Sequence, residues 1–255
     1  MEIVVPGRSA LITGASRGIG AATAIALAQA GVERFWLHYN SFPQGAEDTQ
    51  HRLEALGAQV QTFAADLTSA SGIQHAVREI EGRGAAHADI LINNAGSLLA
   101  RAKLTEFTPD LFDRVMNLNV KSAWFIAQAV ARQMASRQSG VIVNVSSIAA
   151  RNGGGPGATI YAAAKAAVST CTKGMAKELA PQGIRVNAVS PGTVDNYFHE
   201  QFSNRQILDN VVAQTPAGRL STNEDVADTI VFLCSDASRY IHGQTLEING
   251  GMYMP

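Results

Sequence analysis

Short apolar runs and longer amphipathic segments alternate along the whole chain. The short runs predict β-strands at residues 10–13, 34–39, 60–64, 90–93, 141–145, 185–189 and 245–248. The longer segments predict helices at residues 19–30, 45–56, 70–81, 109–137, 159–179 and 224–235. Strands that alternate with helices are joined by helical crossovers, so the pattern predicts a parallel sheet with helices on both faces.

Local signals agree with this alternation. Residues 90–92 and 141–143 are apolar throughout, which is typical of strands buried on both faces. Thr108 and Pro109 predict the start of a helix, and residues 221–224 predict a capping box. Because no repeat or flexible linker interrupts the chain, we predict an α/β protein in which residues 1–255 form one doubly wound domain. Its sheet has seven strands and is mostly parallel.

Composition narrows the function classes. The chain has 255 residues, 46% of them hydrophobic and 16% charged, and its net charge is −1. A charge so close to zero gives no electrostatic reason to expect nucleic acid or an anionic membrane as a partner. No apolar run is long enough to span a membrane, and no metal-binding motif is present in the sequence. Cys171 and Cys234 lie in predicted helices and fit a reducing compartment, so we expect a cytoplasmic protein without a signal peptide.

A glycine-rich turn follows the first predicted strand and opens the first helix. It reads Gly14-Ala-Ser-Arg-Gly18-Ile-Gly20. Glycines there allow a tight turn, and the helix N-terminus presents amide donors and a positive dipole end to a phosphate. The spacing departs from the commoner G-x-G-x-x-G, but the position between strand and helix predicts a dinucleotide site.

A tyrosine and a lysine four residues apart share one face of the predicted helix at 159–179. They are Tyr161 and Lys165. A phenol has a pKa of about 10, and an ammonium about 4 Å away would lower that pKa by roughly three units. The sequence therefore predicts a phenol whose pKa lies near the working pH, as a general acid or base requires.

The order of these and further motifs resembles the short, single-domain branch of the short-chain dehydrogenases/reductases. The motifs are the glycine-rich turn, Asp66-Leu67, Asn93-Asn94-Ala95-Gly96, Asn119, Ser146-Ser147, Tyr161 with Lys165, Pro191-Gly192, and residues 243–250. The resemblance covers nearly the whole chain and is nearest to the 3-oxoacyl-carrier-protein-reductase-like group. It implies a Rossmann domain and hydride transfer between a nicotinamide and a small carbonyl or alcohol, in practice by a ketoreductase.

Other functions of the same fold stay open at this point. One is an NAD(P)-dependent sugar or polyol dehydrogenase, and a second is an epimerase or dehydratase of nucleotide sugars. A third is a regulatory protein that binds NADP(H) without catalysis. Such regulators typically lose the tyrosine or the lysine, so the presence of both Tyr161 and Lys165 favours an enzyme.

The resemblance implies four catalytic residues. Tyr161 acts as acid or base, Lys165 lowers its pKa and binds the nicotinamide ribose, Ser147 binds the substrate oxygen, and Asn119 holds a water for proton relay. Ser146 and Asn117 are the competing choices for the last two roles. Ser147 lies fourteen residues before Tyr161, one more than is common in the family, and the glycines at 153–155 absorb the difference.

The predicted cofactor is NADP(H), preferred over NAD(H). Residues 34–46 contain no Asp or Glu to bind a ribose 2′-hydroxyl, and Arg17 in the glycine-rich turn suits a 2′-phosphate. The full set of expected cofactor contacts is Gly14, Ser16, Arg17, Gly18, Ile19, Gly20, Asn40, Ser41, Asp66, Leu67, Asn93, Ala95, Gly96, Tyr161, Lys165, Pro191, Gly192, Val194 and Asn196. Asn196 stands where the family often has Thr near the carboxamide.

The substrate region is less informative. The resemblance implies a small lid over residues 195–220, with further walls from Leu98, Leu99, Arg101 and the glycines at 153–155. His199 is a candidate substrate contact, although a single His in such a segment is more often exposed. The family commonly pairs its long helices between subunits, so we expect a homotetramer, with a dimer as the alternative.

Overall fold

A seven-stranded parallel sheet forms the centre of the protein. The structure is a computed structural model that describes residues 4–254. The strands are β1 Ser9–Thr13, β2 Arg34–Tyr39, β3 Gln59–Ala64, β4 Ile90–Asn93, β5 Gly140–Val145, β6 Ile184–Pro191 and β7 Thr245–Ile248. They lie in the order β3-β2-β1-β4-β5-β6-β7, and every neighbouring pair is parallel. The predicted α/β class and all seven predicted strands are confirmed.

Helices cover both faces of the sheet. They are α1 Gly18–Gln29, α2 Pro43–Ala55, α3 Ala70–Gly82, α4 Pro109–Met116, α5 Ser122–Arg137, α6 Ala149–Asn152, α7 Thr159–Leu179, α8 Tyr197–Phe202, α9 Arg205–Gln214 and α10 Asn223–Cys234. One face carries α1, α2 and α10, and the other carries α3, α5 and α7. Side chains of β1 contribute to the hydrophobic core on both faces of the sheet. Ala10 and Ile12 pack under α1, while Leu11 packs under α3 and α5.

Two sequence predictions need correction. The helix predicted at 109–137 is interrupted by a π-helical turn at Asn117–Lys121, which separates α4 from α5. The capping box belongs to Thr222 and Asp225, one residue later than predicted, since Thr222 has the extended backbone of an N-cap. The segment expected to form a lid, residues 195–220, contains two helices, α8 and α9.

The strand order reverses between β1 and β4. The chain runs from β1 outward to β3 and then crosses back to β4 on the other side of β1. The loops after β1 and β4 therefore diverge at the carboxyl edge of the sheet and leave a crevice between them. Ligands of doubly wound sheets bind at such a switch point.

Candidate active site

The crevice at this switch point opens into a cleft of about 750 Å³. Its walls come from the turns after β1, β4, β5 and β6, from the first turn of α7, and from α8 and α9. Tyr161 and Ser147 lie on its surface, together with the glycine-rich turn. Most of the groups predicted to act on a substrate and on a dinucleotide thus share one cavity.

The glycine-rich turn has the geometry that a dinucleotide requires. Gly14 and Gly18 adopt positive φ angles of 66° and 60°, which residues with a side chain rarely accept. A Cβ at Gly20 would clash with the Gly14 carbonyl oxygen and would lie 2.6 Å from Asn94 Nδ2. Helix α1 begins at this turn without a side-chain cap and without an acidic residue in its first turn. Its first amide groups therefore remain available to a pyrophosphate, so the local structure fits a dinucleotide.

Arg17 lies between two aromatic rings. Its guanidinium carbon is 3.8 Å from the centre of the Phe42 ring and 4.0 Å from the centre of the Tyr197 ring. Phe42 precedes α2, close to the end of β2, and Tyr197 is the first residue of α8. Such stacking holds a guanidinium while leaving the edge of its plane to bind an anion. The sequence predicted the cation but neither aromatic partner.

Tyr161 and Lys165 lie on the same face of α7, but their pKa values differ from the prediction. Lys165 Nζ donates a 2.8 Å hydrogen bond to the Val145 carbonyl oxygen and lies 5.7 Å from the centre of the Tyr161 ring. Burial raises the pKa of Tyr161 to about 12, and the Ser147 hydroxyl offsets only part of this rise. Burial also lowers the pKa of Lys165 to about 8. The predicted lowering of the phenol pKa is wrong for this structure, because desolvation of the buried phenol is the largest effect on that pKa.

The two serines at the end of β5 face opposite ways. Ser146 is buried, and its hydroxyl donates to the Lys165 carbonyl oxygen at 2.9 Å and contacts Ser169 Oγ at 2.8 Å. Ser147 is half-buried and lines the cleft together with Tyr161. The alternation of side chains at a strand end thus directs Ser147 towards the cleft and the Ser146 hydroxyl towards α7.

Asn119 belongs to the π-helical turn and is buried beside the cleft. Its Nδ2 donates to the carbonyl oxygens of Ser97 at 2.8 Å and Val115 at 2.9 Å. Its Oδ1 is buried and has no hydrogen-bond partner among residues 4–254. A Cβ placed on Gly96 would lie 2.7 Å from this oxygen and 2.7 Å from Lys165 Nζ, so both groups face the same glycine. Asn117 is turned elsewhere, because it donates to the Thr68 carbonyl oxygen.

Eleven of the nineteen expected cofactor residues line the cleft, and the other eight, which include Ser16, Gly20 and Lys165, do not. The residues on the cleft surface are Gly14, Arg17, Gly18, Ile19, Ala95, Gly96, Tyr161, Pro191, Gly192, Val194 and Asn196. Asn40 and Ser41 follow β2, and Asp66 and Leu67 follow β3, farther along the same edge of the sheet. Of these, Leu67 is buried in the core, and Asp66 Oδ1 accepts a hydrogen bond from the Thr68 amide.

Asn93 and Asn196 differ from expectation in their side-chain contacts. Asn93 is buried under the sheet edge, and its Nδ2 donates to the Ala123 carbonyl oxygen at 3.1 Å and to Asn144 Oδ1 at 3.0 Å. The Asn93 side chain was expected to contact the cofactor, but these bonds direct it away from the cleft. The neighbouring Asn94 instead holds the glycine-rich turn, through Nδ2 bonds to the Thr13 and Gly14 carbonyl oxygens. The Asn196 side chain caps α8 and donates to Asn223.

The opposite end of the cleft contains Arg101 and His199. Arg101 Nε donates to the Phe202 carbonyl oxygen at 2.9 Å and Nη1 to the Pro156 carbonyl oxygen at 2.7 Å. His199 is half-buried, and burial together with the charge of Arg101 lowers its pKa to about 4. The expectation that His199 is simply exposed is wrong, because Phe198 and Phe202 of α8 turn this helix against the cleft.

Comparisons with known proteins agree with the geometry. A family model described as enoyl-(acyl carrier protein) reductase matches residues 14–253. A 3-oxoacyl-[acyl-carrier-protein] reductase from Staphylococcus aureus is 36% identical over 251 residues, which cover 97% of this chain and 98% of the relative. A putative NAD(P)-dependent gluconate 5-dehydrogenase structure from Beutenbergia cavernae, with bound NADP, has a TM-score of 0.90 and 32% identity, and 99% of each chain is covered.

A second structure widens the range of chemistry among these similar proteins. The NADH-dependent reductase A1-R′, described as responsible for alginate metabolism, has a TM-score of 0.86 and 35% identity, covering 98% of this chain and 99% of that chain. The family match spans most of the chain, and each of these relatives exceeds 30% identity over nearly its full length. The protein therefore belongs to the short-chain dehydrogenase/reductase family of NAD(P)-dependent oxidoreductases, which interconvert alcohols and carbonyl compounds.

Proposed function

We propose that the protein is an NADP(H)-dependent ketoreductase in which Tyr161 protonates the carbonyl oxygen of a small substrate. The observation that carries this proposal is that Tyr161 and Ser147 lie together on the wall of the cleft, with Lys165 one helical turn after Tyr161 on α7. The α8–α9 segment acts as the lid of this single catalytic domain. NADPH supplies the hydride, and the residues of the chain supply orientation and the proton.

Tyr161 has the protonation state that reduction needs. A phenol with a pKa of about 12 is neutral at physiological pH, so it donates its proton as negative charge develops on the substrate oxygen. Ser147 donates a hydrogen bond to the same oxygen and stabilises that charge. In the reverse direction the same residue, as phenolate, would accept the proton of the alcohol.

Lys165 and Asn119 resupply the proton in our proposal. Lys165 is 3% exposed, and its pKa of about 8 leaves it charged at neutral pH but able to release a proton readily. The buried Asn119 Oδ1 lacks a partner in the described part of the chain, and a water molecule would satisfy it. Both groups face Gly96, so a water there would connect the ammonium with the Asn119 amide.

Arg17 supports the preference for NADP(H). Strand β2 ends without a carboxylate, and the stacked guanidinium stands beside Phe42 near that strand end. A 2′-phosphate is attracted to this cation, whereas a carboxylate that would favour NAD(H) is missing between residues 34 and 46. The Beutenbergia structure holds NADP and the A1-R′ reductase is NADH-dependent, so the similar proteins include both preferences.

Two substrate classes fit the proposal. A 3-oxoacyl thioester or a similar ketone is the first, supported by the similarity to the Staphylococcus reductase. A sugar or polyol is the second, supported by the similarity to gluconate 5-dehydrogenases. Both require the same hydride and proton transfer, so the catalytic roles proposed for Tyr161 and Ser147 do not depend on the choice.

We also propose that the protein is a homotetramer and that it is located in the cytoplasm. Trp124 and Phe125 on α5 are each 39% exposed, and Phe112 on α4 is 43% exposed. Pairing of these helices between subunits would cover them. Cys171 and Cys234 are both free thiols, as a reducing compartment favours. No helix between residues 4 and 254 is long and apolar enough to cross a membrane. Size-exclusion chromatography with light scattering tests the tetramer, and a monomeric mass would exclude it.

The decisive experiment measures NADPH consumption by the wild type and by Tyr161→Phe. The panel contains 3-oxoacyl thioesters, diketones, quinones, keto sugars and cyclic ketones, each with NADPH and with NADH. We expect Tyr161→Phe to abolish turnover while NADPH binding stays nearly unchanged. Tyr240→Phe is the matched control, since Tyr240 is 99% exposed. Turnover that survives in Tyr161→Phe would contradict the proposed mechanism.

The cofactor preference is tested separately with Arg17→Ala. We expect NADPH binding to weaken by roughly tenfold or more, because a charge-assisted contact to phosphate is lost, while NADH binding changes little. Arg34→Ala, at the amino end of β2, removes an exposed arginine far from the proposed site and serves as the control. Equal weakening of both cofactors would contradict the role of Arg17.

A further inference from the structure

The charges around the cleft are of one sign. Arg17 and Arg101 both line it, near the cofactor end and near the substrate end respectively. No Asp or Glu in the part of the chain that the structure describes lines the same cavity. If Arg17 serves the cofactor, as proposed above, Arg101 is a second positive charge on the substrate side, with a different role.

Arg101 has no acidic partner. Within residues 4–254 no carboxylate lies close enough to Arg101 to form an ion pair with it, although seven other arginines form such pairs. Its two hydrogen bonds go to backbone carbonyl oxygens, from Nε to Phe202 and from Nη1 to Pro156. These bonds fix the guanidinium between α8 and the glycine-rich loop at 153–155 without neutralising its charge. The Nη2 amine makes no hydrogen bond to any described residue.

The charge of Arg101 also reaches other groups in the cleft. It contributes to the low pKa of His199, whose Nδ1 is in hydrogen-bond contact with Ser203 at 3.1 Å. A neutral His199 adds a polar group beside the guanidinium without competing for the same ligand. An anion placed here would meet a fixed cation with free N–H donors, which is the arrangement that recognises carboxylates.

We propose that Arg101 binds an anionic group of the substrate, and that the substrate is a small keto acid whose carboxylate pairs with this residue. The inference rests on the proposed ketoreductase function. A small substrate is favoured because the same cleft of about 750 Å³ also contains the glycine-rich turn and must hold part of the dinucleotide. Arg101 thereby selects acids over neutral ketones and orients the carbonyl towards Tyr161.

The test compares acids with their own neutral esters. The probes are 4-oxopentanoate and 5-oxohexanoate, each beside its ethyl ester, with acetoacetyl-coenzyme A as a phosphate-bearing ketone. In the wild type we expect a kcat/KM for the better acid that exceeds that of its ester by roughly tenfold or more, the range of a charge-assisted contact. In Arg101→Gln the acid should lose this advantage while the ester changes less than about twofold. Arg101→Lys should retain part of the preference for the acid over its ester.

A control variant separates a specific contact from a general field. Lys103→Gln removes one positive charge from the same exposed loop but not from the cleft wall, so it should keep the preference of the wild type for acids. If Arg101 only fastened α8 to the loop, Arg101→Gln would impair acid and ester equally. That result, or a wild-type ratio near one, overturns the inference. An effect of Arg101→Gln confined to acetoacetyl-coenzyme A overturns the carboxylate in favour of a phosphate.

Failure of the proposed function has a different signature. If the wild type consumes no NADPH with any acid, ester or thioester, calorimetric titration of 5-oxohexanoate into the protein decides the inference alone. Binding by the wild type and Lys103→Gln, with loss in Arg101→Gln, supports the anion site without the reductase. Absence of binding in all three proteins overturns it.

Discussion

Replacing Lys165 with methionine should stabilise the fold while removing a residue that the proposed mechanism needs. Lys165 is 3% exposed, and burial lowers its pKa from 10.5 to about 8. A lowering of about 2.5 pKa units corresponds to about 3 kcal/mol by which the buried charge disfavours folding at neutral pH. Methionine has a similar unbranched shape and no charge, so Lys165→Met removes this penalty.

Part of that gain is lost with the hydrogen bond to Val145. Lys165 Nζ donates to the Val145 carbonyl oxygen at 2.8 Å, and such a bond contributes about 1 kcal/mol. We therefore expect Lys165→Met to raise the free energy of unfolding at pH 7 by about 2 kcal/mol. The same variant should lose turnover. The two results together would show that Lys165 lowers the stability of the fold although the proposed mechanism requires it.

The pH dependence of the free energy of unfolding independently tests whether the buried Lys165 charge destabilises the fold. Between pH 8 and 10.5 the unfolded chain keeps the Lys165 proton and the folded chain has released it, so wild-type stability should rise with pH in this window. Below pH 8 both states are protonated and the penalty is constant. Tyr161 has the opposite sign, because its raised pKa of about 12 lowers stability only above pH 10.

Urea unfolding of both proteins at pH 7 and pH 9.5 measures these effects. The difference between wild type and Lys165→Met isolates Lys165 from all other titrating groups, and several protein concentrations reveal any coupling to subunit dissociation. We expect a difference of about 2 kcal/mol at pH 7 that shrinks markedly by pH 9.5. A variant less stable than the wild type at pH 7, or parallel profiles at the two pH values, would refute the reasoning.

Two further predictions concern the glycine-rich turn and the last helix. Gly20→Ala should abolish cofactor binding in a fluorescence titration, because its methyl group would clash with the Gly14 carbonyl oxygen, whereas Gly174→Ala, with open space around it, should leave binding unchanged. Thr222→Ala should lower the free energy of unfolding by about 1 kcal/mol in urea titrations, since Thr222 Oγ1 caps the Asp225 amide. Thr222→Ser should cost much less, and an equal loss in both variants would contradict the capping role.

Much of the fold could be predicted from local patterns. Most of the seven strands are rich in apolar residues and are separated by helices in the sequence, and this alternation permits few topologies other than a doubly wound sheet. The glycine-rich turn was predictable for a similar reason, since Gly14 and Gly18 mark positive φ angles directly after a strand. Helix interruptions were not predictable in this way, because the π-helical turn at Asn117–Lys121 depends on contacts of its side chains with distant segments.

Local spacing correctly predicted which residues share a face but not how they interact. Tyr161 and Lys165 were predicted to form a close pair, and the helix places them side by side. Their pKa values depend on something else: how deeply the surrounding elements bury each group, and the carbonyl of Val145, a residue of β5, to which Lys165 donates. Desolvation is a property of the packed structure, so no spacing rule contains it.

The sequence by itself determined the family, the seven strands and the parallel sheet that their alternation with helices implies. Only the tertiary structure decided that Ser147 faces Tyr161, that Phe42 and Tyr197 enclose Arg17, and that Arg101 enters the cleft without an acidic partner. The physical reason is the range of the interactions. Hydrophobic periodicity and turn geometry act between near neighbours in the chain, whereas stacking, burial and charge balance join residues that are far apart in sequence.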